Sequence, residues 1–188
     1  TLDEDNETVT LTLSGASNAT ISDATGTLTI TDDDSLPSIY YRIASSNGAE
    51  SLSSAVIYVD LSAVSGKAVT VDYSVTGGTA SGSGTDFTLS SGTLTIAAGD
   101  TSGVIQIANI VDDTIEEESE TIIVTLANAS NASLGNTSLG NASLGNTTQS
   151  LSSHQSITQH TYSILDNDDT TNPTLTVTSP LDDAISVP

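Results

Sequence analysis

Nine stretches of the chain alternate apolar and polar residues with a period of two: Thr8 to Leu13, Gly26 to Thr31, Ser38 to Ile43, Ala55 to Leu61, Ala68 to Val75, Gly92 to Ala97, Gly103 to Ile110, Thr121 to Leu126 and His160 to Leu165. Such alternation turns one face of an extended strand toward a core and the other toward water, and each stretch has an ordinary strand length. Clusters of Gly, Asn, Asp and Ser separate them, and no long segment shows the three-and-four apolar spacing of an amphipathic helix. The pattern predicts an all-β chain. Short strands joined by turns, with no helix between, favour an antiparallel sandwich of immunoglobulin type, with a closed barrel as the alternative.

Composition sharpens this. Apolar residues make up 36% of the 188, with one Phe, five Tyr and no Trp, so the expected core is mostly Val, Ile, Leu and Ala. Against 24 acidic residues stand only Lys67 and Arg42, a net charge of -22. Such a surface repels nucleic acid and anionic lipid and attracts cations. No nucleic-acid partner and no membrane contact by this segment are expected. The absence of Cys excludes disulfides and thiolate metal sites.

The opening residues recur 113 positions later. Leu2-Asp3-Glu4-Asp5-Asn6-Glu7-Thr8-Val9-Thr10-Leu11-Thr12-Leu13 aligns with Ile115-Glu116-Glu117-Glu118-Ser119-Glu120-Thr121-Ile122-Ile123-Val124-Thr125-Leu126. The match resumes where Leu28-Thr29-Ile30-Thr31-Asp32-Asp33-Asp34 meets Tyr162-Ser163-Ile164-Leu165-Asp166-Asn167-Asp168, the second copy being 21 residues longer in between. This predicts a tandem repeat: 1–34 as the last part of one copy, 36–169 as a complete copy, and the whole as a fragment of a longer chain.

Residues Gly84-Thr85-Asp86-Phe87, Ser91 through Asp100, Ile110-Val111-Asp112-Asp113-Thr114-Ile115-Glu116-Glu117-Glu118-Ser119-Glu120-Thr121 and the closing Asp166-Asn167-Asp168 resemble, in order and spacing, the Calx-beta repeat. That family is known from the calcium-sensing region of sodium-calcium exchangers and from large bacterial surface proteins. The resemblance implies a seven-stranded Ig-like sandwich with a calcium cluster at one end. It implies as ligands Glu50 and Asp86 from early loops, Asp112, Asp113 and Glu117 from the middle loop with the Ile115 carbonyl beside them, and Asp166 and Asp168 from the end of the last strand. Glu4, Asp32 and Asp34 are the matching residues of the partial copy. Calcium needs six to eight oxygens, so the fold must bring these distant segments together. The chain departs from the family pattern in a long insertion, in Asn167 between the closing Asp residues, and in the Ser-rich setting of Glu50. A helix-loop-helix calcium hand is excluded, because the runs starting at Asp3, Asp32 and Asp166 carry Thr8, Pro37 and Thr171 where that loop needs Gly.

Other features draw plainer readings. Glu116, Glu118 and Glu120 are expected to be a solvated face. The insertion near 127–156 contains the pentads Asn131-Ala-Ser-Leu-Gly, Asn136-Thr-Ser-Leu-Gly and Asn141-Ala-Ser-Leu-Gly, too few for stacked coils, so a hairpin tip or loop is expected. Asn128, Asn131, Asn136, Asn141 and Asn146 begin Asn-x-Ser/Thr sequons there and are possible glycosylation sites in a secreted protein. His154 and His160, which flank the insertion, are expected to be solvated loop residues. No nucleophile elbow, Ser-x-x-Lys pair or His-Glu-x-x-His occurs, so no enzyme is expected. Residues 170–172 read as a linker, and 173–188 resemble the start of a further bacterial Ig-like domain.

The expected function is that of a calcium-binding structural repeat in a long extracellular, cell-surface protein of bacterial or archaeal origin. It would be a stalk or filament segment in adhesion or matrix, its partners neighbouring repeats and identical chains in a filament. The alternative is a calcium-sensing regulatory or partner-binding module. A carbohydrate-binding tip ranks third, for want of aromatics.

Overall fold

A computed structural model describes residues 2–135 and 157–168, which form eleven strands. β1 (Glu7–Thr12) and β2 (Thr25–Ile30) make a separate hairpin. β3 (Ser38–Tyr41), β5 (Ser54–Leu61), β8 (Ser102–Ala108) and β10 (Ser133–Leu134) form one sheet in the order β10-β3-β5-β8. β4 (Ser45–Ala49), β6 (Val69–Gly78), β7 (Gly92–Ile96), β9 (Glu120–Ser130) and β11 (Gln159–Leu165) form the other, in the order β4-β11-β9-β6-β7. The inward residues of the two sheets make one core: Ile39, Tyr41, Ile57, Val59, Ile105 and Ile107 from the first, Val69, Val71, Ile96, Ile122, Val124 and Ile164 from the second, with Phe87 also buried. The alternation read from the sequence is that of a β-sandwich, and all nine expected strands are present within a few residues.

Two strands, β4 and β10, have no alternating signature, and both pair in parallel, β4 with β11 and β10 with β3. The sandwich therefore departs from strict antiparallel pairing at these edges. After β3 the chain leaves the first sheet and joins the second as β4, and the crossing is held by His160. Its Nδ1 donates to the Ile43 carbonyl at 2.9 Å, since a carbonyl only accepts, and its Nε2 accepts from the Ser46 hydroxyl at 2.9 Å. The ring is 1% exposed and lies against Tyr41. His160 is thus a core residue rather than a solvated loop residue. It is buried because it occupies an inward position of β11, next but one to Tyr162. His154 lies outside the described residues.

Burial disfavours the charged imidazole and lowers the His160 pKa below its ordinary 6.5. The unfolded chain takes up this proton first as pH falls. The stability contributed by His160 is therefore complete above about pH 6.5 and is lost as pH falls from there through the depressed folded value. Nitrogen-detected NMR titration is expected to place the His160 midpoint below 6.5, while the melting midpoint declines more steeply below pH 6.5 than in His160→Gln. A ring that titrates at or above 6.5 overturns this.

The insertion begins as structure. Ala132 is buried, Ser133 and Leu134 pair with Ser38 and Ile39, and the Asn131 amide donates to the Ala68 carbonyl at 2.8 Å. The first pentad is thus part of the sandwich, contrary to a loop over the whole tract. Residues 136–156, with the sequons at Asn136, Asn141 and Asn146, and the expected linker and further domain at 170–188 lie outside the described residues. Asn128 and Asn131 both take left-handed backbone (φ 49° and 57°), a conformation Asn tolerates. Asn128 sits where β9 slips register against β6, and its amide donates to Asp72 at 3.1 Å.

The hairpin repeats the pairing of β9 with β11 residue for residue. Val9 faces Leu28 as Ile122 faces Tyr162, Glu7 faces Ile30 as Glu120 faces Ile164, and all six pairs correspond under the internal alignment. The environments differ. Ile122, Val124 and Leu126 are buried, whereas their counterparts Val9, Leu11 and Leu13 are 45%, 65% and 65% exposed.

Candidate metal centre

The unforeseen pairing of β4 with β11 builds the acidic end of the sandwich. Ala49 lies opposite Leu165, and the Glu50 N–H donates to the Leu165 carbonyl at 3.0 Å, so Glu50 emerges beside the turn that ends β11. Glu50, Asp166 and Asp168 each offer an oxygen within 4.8 Å of the others, the one such group among the described residues. The turn is fixed by the Asp168 N–H donating to Asp166 Oδ1 at 3.2 Å. Asn167 ties the loops together: its Oδ1 accepts from the Ser51 N–H at 3.1 Å and its amide donates to Asp112 at 3.4 Å. The family departure at Asn167 therefore has a structural use. A second carboxylate between Asp166 and Asp168 would lack the donor that meets Asp112.

A concavity of about 180 Å³ opens next to this group and is lined by Glu50, Asp86, Asp113, Glu117 and Glu120 with Val111. Asp86 is positioned by a local turn, in which its carboxylate accepts from the Ser81 N–H and its own N–H donates to the Ser81 carbonyl. The Val111 N–H donates to the Asp86 carbonyl at 3.0 Å, which joins this turn to the loop after β8. Asp113 accepts from the Ile115 N–H at 2.7 Å, and the Glu117 N–H donates to Asp166 at 3.3 Å. Ile115 itself is 61% exposed.

Of the residues expected as ligands, Glu50, Asp166 and Asp168 converge, Asp86, Asp113 and Glu117 face the adjoining concavity, and Asp112 is reached through Asn167. Glu4, Asp32 and Asp34 stand apart at the base of the hairpin, where the Asp34 N–H donates to Asp32 Oδ1 at 3.3 Å in the same turn as Asp166 and Asp168. Glu116 and Glu118 are exposed as expected, but Glu120 is half-buried in the concavity. Alternation held the clue. Two residues before Ile122, Glu120 falls on the inward face of β9.

The electrostatics are those of a site short of positive charge. Burial, a hydrogen bond shared with Asp168, and the charges of Asp166 and Asp168 push the Glu50 carboxyl up to about 7. Burial, together with Asp86 and Glu117, also raises Glu120. Glu50 Oε1 and one Asp168 oxygen are buried without a hydrogen-bond partner. Buried oxygens left unpaired are costly, and a cation bound between them supplies what no protein donor does. The donors are all oxygens from four segments, with no nitrogen or sulfur among them, the set a hard divalent cation takes.

Comparison with known proteins gives the family and the fold. The Calx-beta domain pattern matches residues 32–148. Among solved structures the fold is similar to the apo-form Calx CBD1 domain (TM-score 0.52, 22% identity, 71% of this chain and 100% of that one). It is similar also to the Calx CBD2 domain (TM-score 0.52, 15% identity, 70% and 88%) and to the calcium binding domain CBD12 of CALX1.1 (TM-score 0.50, 24% identity, 69% and 44%). The chain thus spans less than half of that CBD12 chain and all of the CBD1 domain. No curated protein matches the sequence.

Proposed function

The chain belongs to the Calx-beta family, and from that premise we propose that it is a calcium-binding structural module of a long extracellular surface protein. The observation that carries the calcium reading is the convergence of Glu50, Asp166 and Asp168 with two of their buried oxygens unpartnered. Asp86, Asp113 and Glu117 complete the oxygen set from the adjoining concavity, and Glu120 is a further donor there. The ion supplies charge and coordination that tie the loop after β4, the loop before β9 and the end of β11 together.

The structural role rests on three features. The chain carries a net charge of -22, which keeps a protein soluble and draws divalent cations to its surface. The hairpin's residue-for-residue likeness to β9 and β11 supports a tandem arrangement with neighbouring repeats as partners. Asp166 and Asp168 lie at the end of the last strand, so an ion there stiffens the exit of the chain toward its neighbour. A non-enzymatic role is consistent with His160, whose two ring nitrogens are both engaged inside the core.

Calcium titrated into the chelator-treated chain is expected to bind in the micromolar to millimolar range by calorimetry, and small-angle scattering is expected to show a longer maximum dimension with the ion. Asp166→Asn with Asp168→Asn is expected to lose both responses. No binding overturns the calcium reading. Binding with unchanged dimensions overturns the stiffening role and favours a calcium-sensing module that acts through partner affinity.

A further inference from the structure

Among the described residues, Asp3 fastens the segment before the hairpin to the sandwich. Asp3 is 5% exposed, and its carbonyl and both carboxylate oxygens are engaged by the loop between β5 and β6. Its carbonyl accepts from the Gly66 N–H at 2.8 Å, one carboxylate oxygen accepts from the Ser65 hydroxyl at 3.1 Å, and the other pairs with the Lys67 ammonium at 3.0 Å. Lys67, the chain's one lysine, also lies 3.7 Å from Asp5. Gly66 suits the close approach: a Cβ there would stand 3.1 Å from the Asp3 carbonyl and 3.2 Å from the Glu4 Cβ, tighter than ordinary contact. The loop is held from behind, because the Gly99 N–H donates to the Ser65 carbonyl at 2.9 Å and Ser65 is 1% exposed. A buried carboxylate with all its acceptors met, facing a lysine in an otherwise acidic chain, is a built contact rather than a chance surface pair.

We propose that residues 64–67 are a docking surface between modules. They receive the acidic segment that precedes the strand equivalent to β9 in the module in front. Residues 2–5 are that segment here, and their counterparts in the sandwich are Ile115, Glu116, Glu117 and Glu118, where Ile115 is 61% exposed and Glu116 and Glu118 face solvent. It follows that residues 115–118 are the complementary surface, and that the partner which fits them is the Ser-Gly-Lys loop of a following module of this kind. A second copy of this chain carries that loop. The joint is then an alternation of one acidic segment and one lysine loop, which gives successive modules a fixed direction and explains the single lysine. The part concerning residues 115–118 rests on the tandem reading. The clamp on Asp3 does not, and it needs no calcium.

The single lysine makes the test specific. Zero-length carbodiimide coupling of the whole chain, in chelator and mapped by mass spectrometry, is expected to join Lys67 to Asp3 and Asp5. Coupling scattered over the other carboxylates overturns the clamp. Asp3→Asn with Asp5→Asn frees the lysine loop and leaves β5 and β8 amide protection unchanged, which checks that the sandwich is folded. At high concentration this variant is expected to couple Lys67 of one copy to Glu116 or Glu118 of another, and Glu116→Gln with Glu118→Gln is expected to abolish those products. Coupling between copies that ignores residues 115–118, or none at all, overturns the complementary surface even where the clamp stands. Both results are independent of whether calcium binds at Glu50.

Discussion

Glu50→Gln is expected to raise the melting midpoint of the calcium-free protein and at the same time remove most of the stabilisation by calcium. In the wild-type chain, saturation at a hundred times the dissociation constant adds about 2.7 kcal/mol, a rise in midpoint of about 10 °C for a domain of this size. The variant separates the two sides of that gain. Without the ion, the buried Glu50 carboxylate faces Asp166 and Asp168, and its Oε1 has no partner. A neutral amide of the same shape removes the repulsion and offers hydrogens to both aspartates, so the chelated variant melts higher than the chelated wild type. With the ion, the amide contributes a weaker oxygen and no charge, so the calcium-bound variant melts lower than the calcium-bound wild type. Calorimetric scans of both proteins, with calcium and with chelator, make the comparison. A variant that melts lower in chelator shows that Glu50 is stabilising in the free protein, and one that keeps the full calcium shift shows that it is no ligand. The first result overturns the repulsion between Glu50 and the aspartates, and the second removes Glu50 from the site.

The strands that were legible are those with one face in the core. Ile57, Val59 and Leu61, or Ile122, Val124 and Leu126, alternate with outward residues because each faces the opposite sheet. Periodicity reports that burial directly. β4 was not legible because it is an edge strand of Ser, Asn, Gly and Ala, held by main-chain pairing to β11 and by contact with Tyr162 rather than by apolar side chains. Gly48 shows the constraint: a Cβ there would overlap the Tyr162 hydroxyl. β10 was hidden for another reason. Its two residues belong to a repetitive tract whose composition resembles a loop, and only the burial of Ala132 and the pairing with β3 distinguish them.

The site divides along the same line. Internal repetition pointed to Asp166 and Asp168, since Asp32 and Asp34 form the same turn. Glu50 has no counterpart in the partial copy and was reached through resemblance alone. Its convergence with the two aspartates depends on β4, the strand the pattern could not reveal. The run of glutamates hides Glu120, although the strand period turns it inward. The Asp3 to Lys67 clamp was illegible for a different reason, as pairing over a separation of 64 residues leaves no local trace. The scarcity of lysine was the one sign that this residue had a particular use.

The hairpin amides of β1 and β2 are expected to exchange with solvent at least about a thousand-fold faster than those of β9 and β11, despite identical pairing. Hydrogen bonds alone add little in water, and a two-stranded ribbon is marginal unless its apolar face is covered. In the sandwich that face is closed by the β3-β5-β8 sheet, and Ile122 and Val124 are fully buried. In the hairpin the equivalent Val9 and Leu11 are 45% and 65% exposed. Opening the hairpin therefore exposes almost no new apolar area, whereas opening β9 costs the global stability, typically 5–15 kcal/mol. The same reasoning sets the mutational contrast. Leu11→Thr is expected to change the unfolding free energy of the sandwich by less than about 0.5 kcal/mol, whereas Val124→Thr, which buries a hydroxyl, costs about 1–3 kcal/mol. Native-state hydrogen exchange by NMR and denaturant unfolding of the two variants measure both. If β1 and β2 are protected as strongly as β9, their apolar face is covered in this chain. In that event the likeness to β9 and β11, strands that pack on a further sheet, is no guide to what the hairpin does.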